Sequence, residues 1–406
     1  MRSIALKLIA LLVFACLSYY ATTYVTEDDL IDLKIYLYSA ERLSRGEPIY
    51  NVRYAFPLRA TDFELQYLYP PALAALLAPL VSISTPIITP IITPIIIFVW
   101  QCGSIIALAL TAYMLAQLLS GYVGTGRSPA NSYVLFLLLA LWPPTLYGIA
   151  WGQVNAFILA LLVGAAFFTS KRRDRLAGLS LGLAIALKAT PAILIVPFIV
   201  NKRWRALFYC CLGALAAHLP LMLYPNGLAT IQSFLSTVGK IAAGQVVKDP
   251  FYDYSLRHFA PFFVDAPATL FLVFSLSLII AYLVLLFRMS RLPVNGAPQS
   301  LSQDLLCALQ LLSGIPIMII TSPLVWFHHL VWLFPPLAAV MFLGKTTFIR
   351  GSGRLIYIIL APLLYVHVFI RHWEQPGEWL IKTLPLLLSV MTFFLLAKLI
   401  TRQRTE

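Results

Sequence analysis

The feature that most constrains this chain is the alternation of apolar runs, each about as long as a bilayer is thick, with short clusters of lysine and arginine. Lipid offers backbone amides no hydrogen-bond partner, so such a run must cross as a helix that satisfies its own N–H and C=O groups. Of the 406 residues, 60% are hydrophobic and 11% charged, against about 45–50% and 25% in soluble domains. That balance excludes a soluble globular enzyme and a disordered chain. The five cysteines all lie in apolar stretches and read as buried, inert thiols rather than a disulfide framework. A net charge of +13 could mark a nucleic-acid binder if the basic residues shared one face with aromatics. They sit instead between apolar segments, the positive-inside pattern of a membrane protein.

The charge pattern predicts an all-α, polytopic membrane protein with about twelve transmembrane helices, forming a single integral membrane domain over 1–406. Arg2 and Lys7 hold the N-terminus inside, and the run 4–25 is read as a first span rather than a cleaved signal, since it continues past the faint Val13-Phe14-Ala15-Cys16 cleavage pattern. Further spans are expected at 91–119, 134–150, 155–169, as a pair within 176–200, and at 206–223, 267–287, 305–320, 330–344, 355–371 and 380–400. This arrangement assigns 18 basic and 3 acidic residues to the cytoplasm, so both termini lie inside. Residues 70–83 are apolar, but counting them as a span would turn every basic loop outward. They are expected as a helix on or dipping into the outer face. Prolines at every fourth residue through 86–94 predict irregular structure before the next span. Residues 176–200 are too short for two full spans, so a hairpin with Lys188-Ala189-Thr190-Pro191 at its tip is expected. The large outer loops are then 26–90 and 224–266.

Half of the 16 acidic residues (Glu27, Asp28, Asp29, Asp32, Glu41, Glu47, Asp62 and Glu64) fall in the first outer loop. Leu30, Leu33, Leu37, Ala40 and Leu43 repeat at helical spacing, with Asp28 or Asp29 as N-cap and Gly46 as stop, which predicts an amphipathic helix in the membrane interface. Asp32 and Tyr36, four apart, share one of its faces. Most of these acids simply solvate the loop. Other polar groups recur at the outer ends of spans: Trp151-Gly152-Gln153-Val154-Asn155, Lys188, Asp253 to His258, and Ser322 to His329. A lysine at membrane depth marks a site unless it reaches up to headgroups. The pair His328 and His329 could suggest a metal, but adjacent helical positions diverge and no ligand stands at i+4. An anion contact or a structural hydrogen bond fits them better, and no metal or other cofactor is expected.

The run Asp32-Leu33-Lys34-Ile35-Tyr36, then Gly46, Tyr50, Tyr67-Leu68-Tyr69-Pro70-Pro71 and Pro79, resembles the first outer loop of glycosyltransferase family 87, polytopic transferases of the GT-C type. The resemblance continues through Gly152-Gln153-Val154-Asn155, Lys188 with Pro191, Arg203-Trp204-Arg205-Ala206, and Ser322-Pro323 with Trp326-Phe327-His328-His329, in order along nearly the whole chain. It departs from the family at Asp253 to Leu256, the loop before Arg257.

The resemblance implies transfer of a sugar, mannose or in some branches arabinofuranose, from a polyprenyl-phosphate donor to a hydroxyl of a glycolipid or glycan on the outer face of the cytoplasmic membrane. It implies inverting chemistry with Asp32 as general base, and a donor phosphate met by Lys188, His328, His329 or Arg257. Tyr36, Tyr69, Gln153, Asn155 and Trp326 would meet sugar or acceptor. The partners are then the lipid-linked donor, the acceptor and membrane lipids, with no nucleic acid. A transporter or flippase of a lipid-linked sugar is the competing class, but it would show related halves or broken helices in corresponding positions. The sequence displays no such pairing.

Overall fold

The computed structural model describes residues 2–19, 30–58, 61–82, 89–123, 132–243, 245, 255, 267–291, 302–343, 389–398 and 400. Among the described residues the chain is helical, as its apolar runs require, with one departure: Tyr54–Leu58 (β1) and Thr61–Leu65 (β2) form an antiparallel hairpin, Tyr54 pairing with Leu65.

The helices are α1 (Arg2–Tyr19), α2 (Ile31–Ser44), α3 (Pro71–Ser82), α4 (Thr89–Val123), α5 (Ser132–Ala140), α6 (Pro143–Ala150), α7 (Asn155–Ser170), α8 (Asp174–Leu187), α9 (Val196–Val200), α10 (Trp204–His218), α11 (Gly227–Ala243), α12 (Pro267–Arg291), α13 (Gln303–Ile320) and α14 (Phe334–Leu343). Short 3-10 turns at Thr190–Ile195, Leu219–Leu223 and Phe327–Leu333 lead into α9, out of α10 and into α14. A further helix covers Ser389–Lys398.

Among the described residues, four segments are long and apolar enough to cross a membrane: Thr93–Ser120, Trp204–Leu223, Thr269–Arg291 and Gln303–Ile320. They become five if α5 and α6, bent by 65° about Leu141-Trp142, count as one. The protein is therefore an integral membrane protein. The expected span 134–150 is broken in two before Pro143, which cannot donate to the preceding turn, whereas 330–344 falls on one short helix, Phe327–Leu343, whose turns up to Leu333 are 3-10. The expected span 355–371 and most of 380–400 lie outside the described residues.

Burial separates centre from rim. In α13 every residue from Leu305 to Ile320 is buried, whereas α12 leaves Leu272, Val273, Leu276 and Ile280 exposed, an apolar surface that suits lipid. Cys210 and Cys307 are buried, but Cys16 and Cys211 are exposed, which corrects the expectation that all five thiols are hidden. Two other expectations change. Pro94 lies inside α4 rather than before it, in the second turn, where few backbone bonds are lost. The outer segment 224–266, read as a loop, begins with α11, whose Leu228, Ile231, Leu235 and Val238 recur at helical spacing.

Candidate active site

The site begins with α2. Gly46 ends this helix in the left-handed conformation at φ 71°, as its position after the last apolar repeat implies. The helix starts at Ile31 behind Leu30, which makes no side-chain cap, and Asp28 and Asp29 lie outside the described residues. Asp32 stands in the first turn, where the helix dipole favours a carboxylate, and its N–H donates to the Trp151 carbonyl at 3.1 Å. The next residue, Gly152, has φ 66°, and a Cβ there would lie 2.7 Å from Leu33 Cβ. Only glycine lets the 151–153 turn approach α2 this closely. The Trp100 indole locks that turn by donating to the Gly152 carbonyl at 2.9 Å.

The second component comes from the break after α8. Pro191 lacks an N–H and disfavours helix in the residue before it, and the chain turns extended at Lys188 (φ −156°, ψ 130°). The break falls at the position expected for the hairpin tip. The third is the turn Phe327–Leu333, which carries His328 and His329.

These parts converge on one cavity of about 300 Å³ whose wall includes Asp32, Tyr69, Lys188, Trp326, His328 and His329. Lys188 Nζ contacts His329 Nε2 and lies over the rings of Tyr69 (4.9 Å) and Trp332 (5.1 Å). His329 is stacked on Trp332, and its Nδ1 accepts the Trp326 N–H at 2.9 Å. Asp32 Oδ2 and His328 Nδ1 have no hydrogen-bond partner among the described residues. Burial pushes the Asp32 carboxyl up from 3.8 to about 7, against the opposing pull of the Gln153 amide and of positive charge on Lys188.

Gln153, Asn155 and Tyr36 are placed differently from expectation. The hydroxyls of Tyr36 and Tyr69 both donate to Gln153 Oε1, at 3.2 and 2.9 Å, so Gln153 is a buried strut behind Asp32 and not a wall residue. Tyr36 is fully buried beside it. Asn155 opens the first turn of α7 beside a much smaller void next to Thr145 and Gln153. None of the three is among the residues that line the main cavity. Arg257 lies outside the described residues. The sequence reading missed Phe234, Val238, Ile241 and Ala242 of α11 and Thr321, which also line the cavity, as do Thr190 and Ser322 from the segments it had singled out. The helical period over 227–243 was the available signal for the α11 residues. Among the described residues, no group of three His, Cys, Asp or Glu side chains is arranged to hold a metal ion.

A polytopic helical body folded around a pocket with a buried carboxyl, an amine and two imidazoles has the build of a membrane enzyme. The sequence model of glycosyltransferase family 87 matches residues 67–323, more than half the chain, and the chain belongs to that family as a membrane glycosyltransferase. It is 27% identical to a polyprenol-phosphate-mannose-dependent alpha-(1-2)-phosphatidylinositol pentamannoside mannosyltransferase of Mycolicibacterium smegmatis, over 91% of this chain and 83% of that protein. It is 26% identical to a polyprenol-phosphate-mannose-dependent alpha-(1-2)-phosphatidylinositol mannoside mannosyltransferase of Mycobacterium tuberculosis, over 86% of this chain and 79% of that one. Among solved structures, ArnT from Cupriavidus metallidurans bound to undecaprenyl phosphate is 12% identical, covering 100% of this chain and 77% of that one, at a TM-score of 0.39. That likeness is too distant to carry an argument.

Proposed function

We propose that the chain moves mannose from a polyprenyl-phosphate donor to a hydroxyl of a glycolipid, with inversion at the anomeric carbon. The observation that carries this reading is the convergence of Asp32, Lys188 and His329, from three distant parts of the chain, on one cavity. The names of the two mycobacterial relatives favour mannose over arabinofuranose and a phosphoinositide mannoside as acceptor class.

Asp32 takes the proton of the acceptor hydroxyl while that oxygen attacks the anomeric carbon. The bond from that carbon to the phosphate oxygen breaks, and polyprenyl phosphate leaves with the electron pair. A leaving group that is already an anion needs cationic contacts more than a general acid, and Lys188 supplies the charge, with His328 and His329 beside it as neutral hydrogen-bonding groups. Tyr69 and Trp326 offer aromatic faces to the sugar. Arg257 belongs to the same donor site in this reading.

The reading extends to topology: about twelve spans in the cytoplasmic membrane, both termini inside, the cavity facing outward, and α2 near the outer interface. Its support is that Asp32, Lys188 and His329 all stand at helix ends opposite the basic loops at 171–175 and 202–205. Protein purified into liposomes with polyprenyl-phosphate mannose and a phosphatidylinositol mannoside should yield a product one mannose heavier by mass spectrometry. Turnover of a polyprenyl-phosphate arabinofuranose donor alone would reassign the sugar. Donor crossing the bilayer with no product formed would favour the transporter class.

A further inference from the structure

The contacts of Lys188 determine which hydrogen-bonding form it can take. His329 Nδ1 accepts the Trp326 N–H at 2.9 Å, so in a neutral imidazole the ring proton must sit on Nε2. Nε2 is the atom in contact with Lys188 Nζ. An ammonium has only donors and would oppose that N–H, whereas an uncharged amine has a lone pair that accepts it.

The same cavity contains Asp32, the obvious counter-ion for a charged lysine. Yet the ion pairs among the described residues involve Arg42, Arg45, Arg172 and Arg203, and none joins Asp32 to Lys188. Asp32 is 4% exposed, and its Oδ2 has no hydrogen-bond partner among the described residues. A lone carboxylate there would carry a desolvation cost that its acid form avoids. The titratable groups facing Lys188 are Asp32 from α2, Tyr69 from the segment before α3, and His328 and His329 from the turn before α14. None of them supplies a fixed negative charge while Asp32 is protonated.

We propose that the empty site rests as a neutral pair, Asp32 as carboxylic acid and Lys188 as free amine held by His329, and that the lipid phosphate moves the proton from Asp32 to Lys188. The Asp32 O–H bond breaks and a Lys188 N–H bond forms, with no net proton exchanged with solvent. The product is an ammonium facing the phosphate and a carboxylate ready to accept the acceptor's proton. The base is therefore armed only when the donor is bound. This inference rests on Lys188 lying in the donor site.

The test uses the full-length protein in detergent and a short-chain polyprenyl-phosphate mannose, a phosphodiester with a fixed negative charge. Infrared difference spectra should show a protonated-carboxyl C=O band lost on donor binding, and Asp32→Asn should lack that band throughout. Lys188→Arg, which stays charged, should lack it even before donor is added. Calorimetry in buffers of different ionisation enthalpy should count no proton taken up by the wild type and about one by Asp32→Asn, where Lys188 must draw on solvent. A band that persists on binding, or wild-type uptake of a proton, would overturn the transfer. Donor affinity unchanged in Lys188→Ala would instead remove Lys188 from the donor site, a separate failure.

Discussion

Helix α8 joins two polar clusters that are built on opposite principles. At its N-terminus, Asp174 meets Arg203, which also meets Asp304, and Asp304 in turn meets Arg172. At its C-terminus, about 20 Å away by helix rise, Lys188 shares a cavity with Asp32 and makes no ion pair with it. The first cluster matches every charge at contact distance and clamps the starts of α8, α10 and α13 together. The second keeps Asp32 Oδ2 and His328 Nδ1 without partners among the described residues. Groups that satisfy one another hold a fold, while buried groups left unsatisfied remain available to a ligand.

The largest expected effect on stability lies at the clamp. Arg203 is 10% exposed, and its removal strands Asp174 and leaves Asp304 only the exposed Arg172, so Arg203→Ala should cost about 3 kcal/mol of stability. Thermal unfolding in detergent should show the loss, while the Michaelis constant for donor in the surviving folded fraction stays at the wild-type value. A changed donor constant would break the contrast between the two ends.

At the other end, Lys188→Ala should raise the donor constant about 10- to 100-fold, the worth of a charge-assisted hydrogen bond, with a melting temperature close to wild type. Gly152→Ala forces a side chain onto Leu33 and into a strained backbone. It should cost about 1–3 kcal/mol and lower kcat more than it changes donor affinity, since α2 carries Asp32. The smallest effect expected is none: thorough chelation with EDTA should leave the rate unchanged, because the ammonium of Lys188 meets the phosphate. Loss of activity restored by a divalent ion would make Asp32 and the histidines candidate ligands.

Much of the frame was legible because lipid imposes a length and a composition. The helices at 155–170, 174–187, 204–218, 267–291 and 303–320 follow from apolar runs bounded by charge, and the break at Lys188 from the proline that follows. The acid-rich helix was legible as a helix but not as one buried on most sides. Ile31, Ile35, Tyr36 and Ser39 join the apolar stripe in the interior, a consequence of Gly152 and Trp100 approaching from far along the chain. The same tertiary packing withdrew Gln153 and Asn155 from the cavity wall. Polar residues at a helix end look alike in sequence whether they face a ligand or brace the residue that does. The hairpin at 54–65 was missed because a short loop strand gives only a weak local signal, and α11 because its helical period went unread in a segment taken as an outer loop.

The claim on which the rest depends is that Asp32 is the base, and the pH dependence of transfer by wild-type and Asp32→Asn protein tests it most directly. Asp32 becomes a base by passing its proton to Lys188, so activity must be lost once falling pH has already protonated Lys188 and Asp32 has nowhere to pass its own. Wild-type kcat/KM for donor, which reports the free enzyme, should therefore decline on the acid side. Asp32→Asn keeps the shape without the base, so it should transfer about two to four orders of magnitude more slowly, lack this acid limb and still bind donor. Near-normal turnover by a folded Asp32→Asn protein, or an acid limb that survives the substitution, would contradict the account.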